Sequence, residues 1–371
     1  MSEIAASGNI ESYLLRSWKK SRNAEISPRK VKLIKNNLKI EKKCDETISN
    51  FADVHSIHKE SSTCWVASGI AAQKYVSILF NPETKEAHQF NFHERNYVVH
   101  KIGNRIAYFS NNLKPGIKEI NPDGVTFSQG IFSTHDFHSH ICYPSSNQQP
   151  QAAMKKPSLN RNFVARPTGE VFWLSKNGAV IMWNMSAEKM EDLIITETQA
   201  SMISSGVKGI YIKRKEDQGI ERYAKSHPGN KWVLRHSYKP SWKGEPNLGS
   251  SNLAVLNTRN RVLSDVWTDR DKFELLLLTF DLKLLHKLKF DDRRLVTHFR
   301  PIILKKVEFV LMFNRQLSLD VLLVKTSKIE LLVSKFVYGA GNEMGYGIDS
   351  YQPGEFTVFG AKLFRTFKIS F

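Results

Sequence analysis

From residue 75 to its end, the chain repeats one outline: a short apolar strand, a polar turn, and a second strand of alternating character. The outline recurs at 75–92, 105–120, 180–193, 207–223, 273–290, 321–336 and 356–369. Alternation with period two marks a β-strand, because successive side chains leave a strand on opposite faces. The turns carry the chemistry of a tight reversal. Gly103-Asn104 separates 97–102 from 105–109, and Asn177-Gly178 separates 171–174 from 179–183. In both, glycine supplies a positive φ without steric cost. Further strands are expected at 253–256 with 261–263, at 273–280 with 284–290, in a meander over 308–313, 318–325 and 329–333, and at 356–359 with 363–369.

A small sheet cannot bury both of its faces alone, but radial packing against its neighbours buries them and keeps the edges short. The later repeats start at 273, 321 and 356, and these gaps bracket the roughly 40–45-residue period of a propeller blade. Dividing the chain, less its first 50 residues, by about 45 per blade gives about seven blades. The expected fold is all-β: a β-propeller of about seven blades over 51–371, after a flexible basic arm over 1–50.

One stretch carries a family resemblance. Gly169-Glu170-Val171-Phe172-Trp173-Leu174 leads through Ser175-Lys176-Asn177-Gly178 to Ala179-Val180-Ile181-Met182-Trp183-Asn184. A strand, a glycine-containing turn and a strand ending in tryptophan and a polar residue resemble the middle of a WD-repeat blade, highly diverged. No blade ends in Trp-Asp and none opens on Gly-His, so the family's structural hydrogen-bond network is not carried over. The resemblance implies a propeller scaffold.

Other segments depart from the outline. Residues 143–162 are polar, hold three prolines and follow neither period, as a long loop does. Residues 186–206 have a helical reading, with Ser186 as cap and Met190, Leu193 and Ile194 on one face. A strand through Ile194-Ile195-Thr196 competes with it. A helix also competes over the leucine-rich 275–288. The glycine-rich 339–347 lacks the following helix of a phosphate cradle and reads as an inter-blade loop.

Composition narrows the function. Hydrophobic residues at 41% and charged residues at 24% exclude wholesale disorder. Cys44, Cys64 and Cys142 give neither a disulfide framework nor a zinc spacing, so a reducing compartment is expected. The first residues carry no basic-then-apolar leader, and no apolar run approaches the roughly 18–20 residues of a bilayer span. A soluble intracellular protein without a membrane partner is expected.

The 54 Lys and Arg against 36 Asp and Glu leave a net charge of +18. Eleven of the cations fall between Arg16 and Lys43. Lys19, Lys20 and Arg22 form one cluster, and Arg29, Lys30 and Lys32 a second. Such clusters serve as nuclear import signals or nucleic-acid arms. Residues 208–243 hold ten more cations against Glu216, Asp217 and Glu221, interleaved with Tyr211, Tyr223, Trp232, Tyr238 and Trp242. Cations neutralise phosphates and aromatic faces stack on bases, so Lys213, Arg214, Lys215, Arg222, Trp232, Arg235 and Trp242 are candidate contacts to RNA, DNA or an acidic partner. The competing reading makes the aromatics propeller core and the charges a solvated rim.

Catalytic patterns are sparse. His135, His138 and His140, with Asp136 and Cys142, offer metal donors within eight residues, but no second ligand cluster supports them. No nucleophile motif is recognisable. The expectation is therefore a non-enzymatic propeller scaffold, without catalytic residues, cofactor or small-molecule substrate, binding protein subunits of a multiprotein complex. Its process would be ribosome assembly, transcription or chromatin work, in the nucleus or nucleolus. Direct RNA or DNA binding through 208–243 is the alternative, and a metal-dependent enzyme a distant third.

Overall fold

The computed structural model describes residues 25–45, 51–119 and 163–371, apart from short connections at 60–64, 72, 82–86, 93–95, 103–104, 111–114, 166–169, 175–179, 185–188, 195–199, 215–216, 227–230, 242–251, 268–272, 291–295, 315–316, 341–342 and 350–352. One helix, α1 (Pro28–Asn37), precedes a succession of antiparallel strands. β1 (Lys39–Asp45), β2 (Phe51–Lys59), β3 (Trp65–Ala71), β4 (Lys74–Phe80) and β5 (Ala87–Phe92) come first. β6 (Asn96–Ile102), β7 (Arg105–Ser110) and β8 (Pro115–Glu119) form a three-stranded sheet.

Four sheets of four strands follow. The first holds β9 (Phe163–Ala165), β10 (Glu170–Leu174), β11 (Val180–Asn184) and β12 (Lys189–Ile194). The second holds β13 (Ala200–Gly206), β14 (Gly209–Arg214), β15 (Ile220–Lys225) and β16 (Trp232–Tyr238). The third holds β17 (Leu253–Leu256), β18 (Arg261–Trp267), β19 (Phe273–Thr279) and β20 (Leu284–Phe290). The fourth holds β21 (Val296–Leu304), β22 (Val307–Asn314), β23 (Ser318–Val324) and β24 (Ile329–Val337). The chain ends with β25 (Met344–Asp349), β26 (Glu355–Ala361) and β27 (Leu363–Ser370). First strands of successive sheets touch one another: β13 with β17, β17 with β21, and β21 with β25.

The two ends of the described chain meet in one eight-stranded sheet, ordered β1-β27-β26-β2-β3-β4-β5, with β25 also on β26. β1 pairs with β27 from Lys39↔Ser370 to Asp45↔Arg365, and β2 meets β26 at Asp53↔Ala361. Counted as separate sheets of four or more strands, the described residues form five blades, against about seven expected. The arithmetic on length treats every blade as its own hydrogen-bonded sheet. The β2–β26 pairing instead fuses strands from both ends of the chain, and β6–β8 make a sheet of only three.

Why these runs are strands is visible in β22, which is buried along its whole length. Val307, Phe309, Leu311 and Phe313 enter the core shared with α1, β26 and β27, whereas Val310 and Met312 enter the core shared with the β17–β20 sheet. The same division holds for β19: Leu275 and Leu277 face one way, Leu276 and Leu278 the other. A strand sandwiched between two sheets needs apolar residues at every position, which erases the period-two signal. That is why 275–278 reads equally as helix. β19 and β20 resolve it as two strands, joined around Leu282 at a φ of 60°.

Several expectations are corrected. Residues 186–206 hold β12 and β13 rather than a helix. β12 pairs with β11 from Asn184↔Lys189 to Val180↔Ile194, so the sheet supplies a hydrogen-bonding partner that outweighs weak helical spacing. Residues 28–45, assigned to a flexible arm, form α1 and β1. The Ser27 side chain caps the helix by accepting from Lys30 N at 3.3 Å, and Pro28 sits at its start. Val31 and Ile34, three residues apart on one face, are buried in the core that also holds Phe309 and Phe356. Residues 344–347 of the glycine-rich segment belong to strand β25, paired with β26. The polar segment 143–162 lies outside the described residues.

The expected hairpins form. Ile102 pairs with Arg105, leaving two residues for the turn, and Leu174 pairs with Val180. The β13–β14 reversal closes on Gly206↔Gly209. Gly209 has φ +141°, and a Cβ there would lie 2.1 Å from the Tyr223 carbonyl oxygen, so only glycine fits.

Candidate partner-binding surface

The 208–243 segment builds most of the β13–β16 sheet, and the fold divides its side chains between inside and outside. Lys213 is the first correction. It is 0% exposed, with Nζ 2.6 Å from Asp265 Oδ1 on β18 of the next sheet. It also donates to the Asp265 carbonyl oxygen. Asp265 is held further by Asn252, through the backbone N–H to Oδ1 at 2.7 Å and Nδ2 to Oδ2 at 2.6 Å. This lysine ties two sheets together and is not presented to a ligand. Gln218 adds a second tie: its Nε2 donates to the Trp267 carbonyl and its Oε1 accepts from Trp267 N at 2.9 Å.

Arg214 and Arg222 are also engaged within the protein. Arg214 donates to both carboxylate oxygens of Asp217 and, at 3.0 Å, to Glu221 Oε1. Burial works against ionising Asp217, but hydrogen bonds from Arg214 and the Gly219 N–H overcome it and hold its pKa below the ordinary value. Arg222 bonds Asp281 on the neighbouring sheet, and His236 Nε2 lies 3.5 Å from the same Asp281 oxygen.

The aromatic residues point inward. Tyr211 is fully buried and donates to the Phe280 carbonyl at 3.1 Å. Burial raises its pKa above the usual phenol range. Trp232 meets Phe172 edge-to-face at 5.7 Å between ring centres, and Lys225 Nζ sits 5.7 Å over its ring. Tyr238 packs against the core between this sheet and the next. The described aromatics of the segment therefore serve as core, and the stacking surface expected for bases is not assembled from them.

Arg235 is where the expectation and the surface coincide. On β16, Leu234, Arg235, His236 and Ser237 are exposed in an unbroken run. Lys231 and Lys239 flank it, and Lys239 Nζ lies 3.6 Å from Asp217. Sequence reasoning missed Leu234, which no charge or aromatic pattern marks. On α1, Arg29 and Lys32 are exposed, while Lys30 Nζ donates to the Lys305 carbonyl at 3.3 Å. Lys35 pairs with Glu330 on β24 at 3.2 Å.

Lys19, Lys20, Arg22, Lys215 and Trp242 lie outside the described residues, as do His135, His138 and His140. No group of His, Cys, Asp and Glu among the described residues is arranged to hold a metal ion. No helix among them is long and apolar enough to cross a membrane.

No family model matches the chain, and no curated protein matches its sequence. Solved structures do match. The N-terminal domain of Nup159 superposes with a TM-score of 0.57 at 9% identity, covering 90% of this chain and 96% of that one. The WD40 domain of Neurospora crassa Pan2 gives 0.52 at 9% identity, over 85% and 88%. YCF48 bound to D1 peptide gives 0.53 at 11% identity, over 94% and 99%. This chain has a β-propeller fold. At such identities the likeness concerns the fold alone, and it agrees with the WD-repeat resemblance of residues 169–184.

Proposed function

We propose that this chain is a non-enzymatic propeller scaffold, a subunit of a nuclear complex that acts on nucleic acid, and that its contacts are made chiefly to proteins. The observation that carries this reading is the inside–outside division of the β13–β16 sheet. Tyr211, Trp232 and Tyr238 are spent on packing, and Lys213, Arg214 and Arg222 on internal pairing. What faces outward on β16 is cationic and aliphatic, which suits an acidic protein surface better than stacked bases. A solved propeller of this fold, YCF48, is seen with a peptide bound, so the scaffold can hold a peptide. The overall charge of +18 supports an acidic setting such as a nucleoprotein complex.

Affinity purification of the tagged full chain, with and without nuclease, tests the reading. Co-purification of a fixed set of proteins that survives nuclease, together with nuclear fluorescence of the tagged chain, is expected. Recovery of the chain alone, or of nucleic acid as its sole companion, would overturn it.

A further inference from the structure

We infer that the β16 edge is a docking site for an acidic peptide segment of a protein partner, with Leu234 as apolar anchor and Arg235 as the central charge. The inference rests on the scaffold reading and deepens it. Among the last strands of the three successive sheets β13–β16, β17–β20 and β21–β24, β16 shows the longest unbroken exposed run.

A β-bulge creates that run. β16 pairs His236 with Arg222 and Leu234 with Tyr223, so Arg235 is the extra residue, opposed by none on β15. A bulge breaks strict alternation and re-aims neighbouring side chains, here presenting an aliphatic and a cationic group together. It also disturbs the regular backbone spacing that a fifth strand would need, so an occupant is read by side chains rather than by strand addition.

The chemistry of the patch selects the occupant. Arg235 has no ion pair among the described residues, and a guanidinium grips a carboxylate through two parallel hydrogen bonds. Lys231 and Lys239 extend the positive field on either side. Asp281 is the nearby exposed acid, and it is already bonded to Arg222 and close to His236. Leu234 is 51% exposed, an aliphatic side chain in the middle of the cations. Nucleic acid would make little use of it, because Trp232, the aromatic of the strand's first position, is covered by Phe172 and Lys225. A peptide carrying Asp or Glu beside an apolar residue uses both groups.

The test places a benzoylphenylalanine photo-cross-linker at Ser237 of the full chain in cells, with the exposed α1 position Leu33 as reference. The cross-linked material is sequenced. A protein segment rich in Asp and Glu is expected, and Arg235→Glu should lower its yield about tenfold while thermal unfolding stays unchanged. Should Arg235→Glu unfold the chain, Lys231→Glu serves as the second variant, with the same loss expected. Cross-links to nucleic acid, to neutral or basic segments, or no more than at Leu33 would overturn the inference, as would a yield indifferent to the charge reversal. An intact co-purifying complex without this cross-link counts against the docking site alone. Absence of any complex counts against the scaffold reading itself.

Discussion

Lys213 on β14 and Asp265 on β18 form a fully buried ion pair between two sheets, 2.6 Å from Nζ to Oδ1. Breaking a buried pair on one side leaves a charge without its counterion, which costs more than the pair itself contributes. Lys213→Met is expected to lower unfolding free energy by about 3–5 kcal/mol. Lys213→Met combined with Asp265→Asn should lose clearly less than the sum of the single changes. Urea unfolding of the four-member mutant cycle measures this, and additive losses would show that the two groups do not act as a pair.

Glu308 on β22 is 3% exposed, and its Oε2 finds no hydrogen-bond partner among the described residues. Burial pushes its pKa up to about 7, against the pull of Thr258 and the Arg259 guanidinium. The fold therefore keeps a proton that the unfolded chain releases near pH 4.5. That stabilising contribution is complete below about 4.5 and is lost as pH rises through about 7. Glu308→Gln should flatten this part of the stability profile and raise stability at pH 8 by on the order of 3 kcal/mol. Unchanged pH dependence between 4.5 and 8 would refute the assignment.

Glu330 behaves in the opposite sense. Burial alone would raise its pKa, but Lys325, Lys328 and Lys35 bond it and bring it to about 2. Its contribution is present above pH 4.5 and is lost as pH falls through about 2. Glu330→Gln should make the acid limb of unfolding shallower. Since Lys35 belongs to α1, amide exchange in 28–37 should also quicken.

The docking of α1 can be weighed directly. Ile34 is fully buried, and Ile34→Ala should cost about 2–5 kcal/mol. Ser27→Ala removes the cap at about 1 kcal/mol. Arg29→Ala, on the exposed face, should leave stability within about 0.5 kcal/mol. Equal, negligible effects at all three positions would mean that the helix does not support the core it shares with β22, β26 and β27.

Direct nucleic-acid binding makes a separate prediction. If phosphates are contacted through the outer strand, log affinity for a 12-nucleotide uridine strand falls with log salt. The Lys231→Ala, Arg235→Ala, Lys239→Ala triple variant should then reduce that slope by about 2. Arg214→Ala, whose guanidinium is held by Asp217 and Glu221, should leave it unchanged. A slope near zero in the unaltered protein removes direct phosphate contact.

The strand-and-turn repeat settled the all-β class, because period two and positive-φ turn residues are local properties of the chain. The hairpins at 97–109, 171–183 and 356–369 were legible for that reason, as was the aromatic-and-basic character of 208–243. The capping signal Ser27-Pro28, with Val31 and Ile34 one turn apart, was present too, but the cations around it outweighed the three aliphatic residues Val31, Leu33 and Ile34. Other features depend on partners far apart in sequence. The pairing of β1 with β27 and of β2 with β26 joins the two ends of the chain and sets how many separate sheets there are. Whether a lysine is a surface cation or a buried counterion is decided by a carboxylate 52 residues away, as for Lys213 and Asp265. Residue type determined that this sheet would be basic. Only the packing of one sheet on the next determined which of those charges face outward, because burial admits a charge only where an opposing group is already in place.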